Sequence, residues 1–130
     1  MRLLLDTHVL LWALAHPRRL PPEVRTELES TENDVFFSAA SVWEIAIKAE
    51  TLRSEFGVAP EGIADAARAT GFAELAIRVQ HAAAVARLSL HHKDPFDRLL
   101  IAQAITEPAR FITADKGLTR YSKDLVWLIR

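Results

Sequence analysis

The chain has 130 residues, half of them hydrophobic and a quarter charged, with a formal net charge of −1. That length suits one domain, residues 1–130, able to bury a proper core. The near-neutral balance excludes a global field drawing the molecule toward nucleic acid, so a polyanion would have to meet a local patch. The absence of cysteine excludes a disulfide framework, a thiolate nucleophile and cysteine-based zinc sites, and it is compatible with a cytoplasmic location.

The N-terminal stretch "MRLLLDTHVLLWALAH" has the outline of a signal peptide, but Asp6 and His8 interrupt it. The longest uninterrupted apolar run there, Val9 to Ala15, is far short of a membrane span, so the segment reads as folded protein. Residues 2 to 5 suggest a buried strand, and a helix capped by Thr7 runs to His16 and Pro17. After the turn "RRLPP", a helix extends from about Pro22 to Thr31, followed by a strand at Val35 to Phe37. Ser38 or Ser41 starts the next helix. Its Val42, Ile45, Ala46, Ala49 and Leu52 recur at helical spacing and predict the buried face.

Two Ala-rich helices are expected near 60 to 70 and 79 to 88, with "FAELAI" between them as a short strand. The stretch "HHKDPFDRLLIAQA" then opens a helix ending near Pro108. Asp94 suits its N-cap, Pro95 its first position and Asp97 its third, where an acid can bond back to the cap's amide. "ARFITAD" predicts a strand ending just before Asp115, "KGLTRYS" a short turn or helix, and "LVWLI" a closing strand. Short continuous apolar strands alternating with helices indicate an α/β fold, a three-layer α/β/α sandwich on a mainly parallel sheet. Trp12 and Trp43 are read as core residues before a dimer face.

In such a sheet the strand C-terminal ends share one edge, where ligands bind. Asp6 falls at the end of the first strand and Asp115 just past the "FIT" strand. Glu44 lies in the helix after "VFFS", and Asp97 in the first turn of the helix before "FIT". Each has a plain alternative: Asp6 and Asp115 as helix caps, and Glu44 as the partner of Lys48 one turn on. Four carboxylates converging from remote segments repel one another, and a hard divalent cation, Mg²⁺ or Mn²⁺, is the natural remedy. His91 and His92 are adjacent rather than helically spaced and read as a surface or loop pair, which argues against zinc. Arg98 and Lys116, next to two of the acids, are candidates for holding substrate phosphates. Two other chemistries share an acid after the first strand. An Asp-nucleophile phosphatase of haloacid-dehalogenase type wants a second Asp where His8 stands, and a receiver-like phosphoacceptor needs an acid pair there.

Taken together, "LLLDTHVLLW", "SAASVWEIAIK", "DPFDRLLIAQA" and "FITAD" resemble, in order and spacing, the PIN-domain nucleases and specifically the VapC-type ribonuclease toxins of toxin–antitoxin pairs. The resemblance runs through essentially the whole chain, least in residues 50 to 71. It implies a metal-dependent endoribonuclease in which Asp6, Glu44, Asp97 and Asp115 hold Mg²⁺ or Mn²⁺ and act in catalysis. It further implies that the hydroxyls of Thr7 and Thr113 orient water or metal, with Asp94 mainly a cap. It also implies an RNA substrate, a cognate antitoxin whose tail enters the groove, and a homodimer. A catalytically inactive PIN-like binding module is the remaining alternative.

Overall fold

The computed structural model describes residues 1–51, 59–90, 92–121 and 124–129. Five strands, β1 (Arg2–Leu5), β2 (Asp34–Ser38), β3 (Ala73–Leu75), β4 (Arg110–Thr113) and β5 (Val126–Leu128), form one sheet in the order β3-β2-β1-β4-β5. All four pairings are parallel, with Leu4 opposite Phe36 on one side and Phe111 on the other. From β1 the chain builds outward to β2 and β3, then crosses back over β1 to add β4 and β5. The reversal falls between β1 and β4, the position at which open α/β sheets form a crevice outside the strand ends.

Helices α1 (Thr7–Ala15), α2 (Pro22–Glu29), α3 (Ala39–Ile47), α4 (Pro60–Thr70), α5 (Val79–Ala84) and α6 (Pro95–Thr106) cover this sheet. The strand period of two sends alternate residues to opposite faces. Leu3, Leu5, Phe37 and Ile112 pack with Val9, Leu10, Ile45 and Ile63 of α1, α3 and α4. Leu4 and Phe111 instead pack with Leu100, Ile101 and Ala104 of α6. Leu3, Leu4 and Leu5 are fully buried, each worth about 1.5–3 kcal/mol of transfer free energy. That is why "RLLL" sits as a central strand despite its four-residue length. The α/β fold expected from the alternation of elements is the fold observed. No helix among the described residues is long and apolar enough to cross a membrane.

Local details differ from the sequence reading. The cap of α1 is Asp6, whose side chain accepts from Thr7 N, while Thr7 is the first helical residue and is buried. Ser38 rather than Ser41 caps α3. The buried stripe of α3 is Ala40, Ser41, Glu44 and Ile45. Ala46 is exposed, and Leu52 lies outside the described residues. Trp43, expected in the core, is 56% exposed and meets Phe96 edge to face with ring centroids 4.9 Å apart. The stripe has turned by about one residue because polar partners, not apolar ones, receive the middle of this helix. Gly71 closes α4 with φ 101°, a left-handed conformation that suits glycine.

Candidate active site

At the C-terminal edge of the sheet a cavity of about 330 Å³ is lined by Asp6, Thr7, His8, Trp12, Glu44, Lys48, Asp94, Asp97, Ala114 and Asp115. The four acids picked out from sequence therefore border one space, brought there by four separate elements. Asp6 arrives on the end of β1, whose backbone N–H donates to Ile112 O of β4 at 2.9 Å, directly at the β1/β4 reversal. Both its carboxylate oxygens are held, one by Thr7 N at 2.8 Å and the other by the Thr113 hydroxyl at 2.5 Å. Burial nonetheless raises the Asp6 pKa, and the charge of Glu44 adds to the effect against these two bonds.

Glu44 sits on the inward side of α3. It accepts from the Thr7 hydroxyl at 2.7 Å and from Lys48 Nζ at 2.8 Å. The bond to Glu44 holds the Lys48 pKa above its ordinary value. The i, i+4 pairing with Lys48 is thus real, and the glutamate is buried while its lysine is half exposed. Thr7 and Thr113 act on carboxylates: each hydroxyl is buried and fastens one acid of the inner pair.

Asp94 caps α6, accepting from Phe96 N at 2.9 Å and Asp97 N at 3.1 Å. Asp97 does not bond back to the cap; its Oδ2 lies 2.7 Å from His92 Nε2. Burial, followed by the charges of Asp6 and Asp94, raises the Asp97 pKa to about 7, against the opposing bond from His92. Asp115 accepts from Gly117 N at 2.8 Å through Oδ1, as a cap of the short turn Lys116–Arg120, and its Oδ2 is 3.7 Å from His92 Nε2. Among the described residues, the donor atoms of His92, Asp97 and Asp115 all lie within 4.8 Å of one another. Asp6 and Glu44 stand deeper in the same cavity.

This donor set fits a divalent cation on chemical grounds. It is rich in carboxylate oxygen, and burial together with the neighbouring charges of Asp6 and Asp94 disfavours a bare negative charge on Asp97. Asp97 and Asp115, with Asp6 and Glu44 on the adjoining wall, are the residues able to hold it. His92 was missed in the sequence because two adjacent histidines carry no ligand spacing, and His91 lies outside the described residues. Arg98, expected to face substrate, is engaged elsewhere. Its guanidinium donates to Ser89 O (3.2 Å), His92 O (3.4 Å), Val85 O (3.2 Å) and the Tyr121 hydroxyl (3.2 Å). Lys116 is exposed directly after Asp115.

A parallel sheet with acids gathered at its β1/β4 reversal is the plan of an α/β domain with an acid-lined crevice. The PIN domain family model matches residues 3–124, and the chain belongs to the PIN domain family. That membership displaces the phosphatase and receiver alternatives. The chain is similar to Ribonuclease VapC22 of Mycobacterium tuberculosis, 32% identical over 119 residues, 88% of each sequence. A chain in the crystal structure of VapBC2 from Rickettsia felis bound to a DNA fragment from their promoter aligns over 100% of both chains. Its TM-score is 0.74 at 14% identity, a likeness of fold.

Proposed function

We propose that the chain is a metal-dependent endoribonuclease that hydrolyses RNA phosphodiester bonds and serves as the toxin of a type II toxin–antitoxin pair. The observation that carries this reading is the convergence of Asp6, Glu44, Asp97 and Asp115 on one cavity at the sheet's C-terminal edge. The similarity to a relative named as a ribonuclease supports the choice of RNA. Asp6, Glu44, Asp97 and Asp115 would hold Mg²⁺ or Mn²⁺, which when bound supplies Lewis acidity toward water and a phosphate oxygen. The chain's part is to fix the acids before substrate arrives. Thr7 N and Thr113 immobilise both oxygens of Asp6. The Thr7 hydroxyl and Lys48 immobilise Glu44. Gly117 N holds one oxygen of Asp115, leaving the other toward the cavity. Lys116, exposed beside Asp115, is positioned to meet a flanking phosphate. Without a cation the same acids repel a phosphodiester, so the cavity gates RNA by metal loading.

A cytoplasmic protein of this kind would be restrained by a cognate antitoxin. The carboxylate-rich cavity is suited to an inserted Arg, whose planar fork pairs with carboxylates in two bonds. A homodimer is part of the same proposal. The test is to incubate purified, partner-free protein with structured RNAs in Mg²⁺, Mn²⁺ or EDTA. Cleavage is expected with either metal and none in EDTA. Asp6→Asn and Asp97→Asn should each abolish it while circular dichroism stays native. Metal-dependent cleavage by a clean Asp97→Asn preparation would sink the assignment, and an intact protein inert on every RNA would favour the inactive binding module.

A further inference from the structure

We propose that His92 is a nitrogen ligand of the divalent cation, making the outer corner of the cavity a mixed nitrogen and oxygen site that prefers a transition cation such as Mn²⁺ to Mg²⁺. The inference rests on the metal-dependent reading above and adds to it a residue, and with the residue a cation preference, that the four acids do not supply. Two observations support it. His92 Nε2 faces two carboxylate oxygens at once, Asp97 Oδ2 at 2.7 Å and Asp115 Oδ2 at 3.7 Å. The three donor atoms lie within 4.8 Å of one another, a spread that one ion can span with small side-chain adjustments. Divalent ions with bonds near about 2.1 Å place neighbouring donors about 3 Å apart and opposite ones about 4.2 Å apart.

The surroundings hold the imidazole in that place. The Arg98 guanidinium donates to the carbonyls of Val85, Ser89 and His92 itself, tying the segment that carries His92 to α6. That segment precedes α6, so the same arginine fixes the histidine relative to Asp97. On the other side stands Gly117. A Cβ there would sit 3.2 Å from Asp115 Oδ1, a tight approach, and 3.7 Å from His92 Nδ1, an ordinary contact, so a side chain at 117 would press on the Asp115 carboxylate beside the imidazole. The histidine ring is 25% exposed, open enough to exchange an ion and enclosed enough to keep one orientation.

The donor chemistry sets the preference. Mg²⁺ favours oxygen donors and keeps much of its water, whereas Mn²⁺, though at home among carboxylates, is a transition cation that accepts an imidazole nitrogen more readily than Mg²⁺ does. Asp6 and Glu44, each already fixed by hydroxyl, amide or ammonium partners, supply oxygen alone. His92 is therefore the feature that separates the two cations. His8 lines the cavity itself, whereas His92 reaches its edge through Asp97 and Asp115, and His8 is the control residue.

The test uses the full-length protein and Mn²⁺ as probe, read by pulsed electron paramagnetic resonance and by titration calorimetry. Bound Mn²⁺ should show nitrogen-14 modulation in the wild type and in His8→Gln, and lose it in His92→Gln. The Mn²⁺ dissociation constant should rise at least about tenfold in His92→Gln, while that for Mg²⁺ changes by less than about threefold. Replacing histidine nitrogen with nitrogen-15 in the wild type should alter the modulation, a reading that needs no variant to fold. Mn²⁺ bound without nitrogen modulation, or modulation that survives in His92→Gln, overturns the ligand assignment and leaves the nuclease reading intact. A wild-type protein that binds no Mn²⁺ overturns both.

Discussion

Helix α6 carries an acid at each end, and the two behave in opposite ways. At its N-terminal end, Asp97 has a pKa raised to about 7 by burial and by the charges of Asp6 and Asp94. Just past its C-terminal end, Glu107 has a pKa lowered by the bond from His81, reinforced by Arg2. The helix dipole favours the reverse, since it stabilises negative charge at the N-terminus by about 0.3–1 kcal/mol and opposes it at the C-terminus. Neighbours outweigh the dipole at both ends. Glu107 has a closed set of partners: His81 Nε2 at 2.7 Å, Arg2 Nη2 at 3.2 Å, and Arg2 Nη1 on its backbone carbonyl at 2.7 Å. His81 Nδ1 accepts from Arg78 N at 2.9 Å, which leaves the imidazole proton on Nε2 to donate to Glu107. Gln103, between the two ends, accepts from the Ser38 hydroxyl at 2.5 Å and donates to Ala76 O at 3.3 Å. The Glu107 end is a finished polar network that joins elements. The Asp97 end instead sets Asp97 in a buried place beside the charges of Asp6 and Asp94, where a proton or an added cation relieves the repulsion.

Substituting each acid in turn is the strongest way to break this contrast. Asp97→Asn should lower RNA cleavage at least about a hundredfold, and Glu107→Gln should leave kcat within about threefold, both read by single-turnover cleavage. Equal losses would mean the two ends are not functionally distinct. Stability should show the mirror image. Glu107→Ala should cost about 2–3 kcal/mol in urea titration, because it strips the fully buried His81 and the partly exposed Arg2 of a charged acceptor, while Asp97→Asn is neutral or stabilising without divalent metal.

The pH dependence sharpens the contrast further. The Asp97 pKa lies above its unfolded value near 3.8, so its contribution to stability is full below that pH and is lost as pH rises toward about 7. In EDTA, the melting temperature of Asp97→Asn should therefore gain on the wild type between pH 5 and pH 8, by about 3 °C or more. Mn²⁺ should close the gap by stabilising the wild type alone. A gap independent of pH would deny that the Asp97 carboxyl is strained by burial and like charge. The smallest effect concerns Arg98. Arg98→Lys should cost about 1 kcal/mol through lost carbonyl bonds while KM for RNA stays unchanged. A raised KM would instead return Arg98 to the phosphate-binding role that its position beside Asp97 suggested.

Much of this molecule was legible because its signals are local. The runs "RLLL", "VFFS" and "FIT" mark strands through short-range apolar continuity, and Asp94-Pro95 marks a helix start through chemistry confined to one turn. Those elements in that order are enough to determine a parallel sheet whose strand ends carry Asp6 and Asp115. The buried stripe of α3 was harder to read. Apolar periodicity pointed to Ala46, but the Thr7 hydroxyl and the cavity draw Glu44 inward and turn Trp43 and Ile47 out.

By itself, then, the sequence determined the order and type of the elements and which acids lie near the sheet's C-terminal edge, since propensity, capping and periodicity act over a few residues. Only the tertiary structure decided how charge is shared among them. It set His92 against Asp97 and Asp115, engaged Arg98 with three carbonyls, and paired Glu107 with His81 and Arg2. Those choices depend on groups up to 105 positions apart in the chain meeting at bonding distance where water is scarce. There each missing or extra partner shifts a proton or a cation, and no local pattern encodes such a meeting.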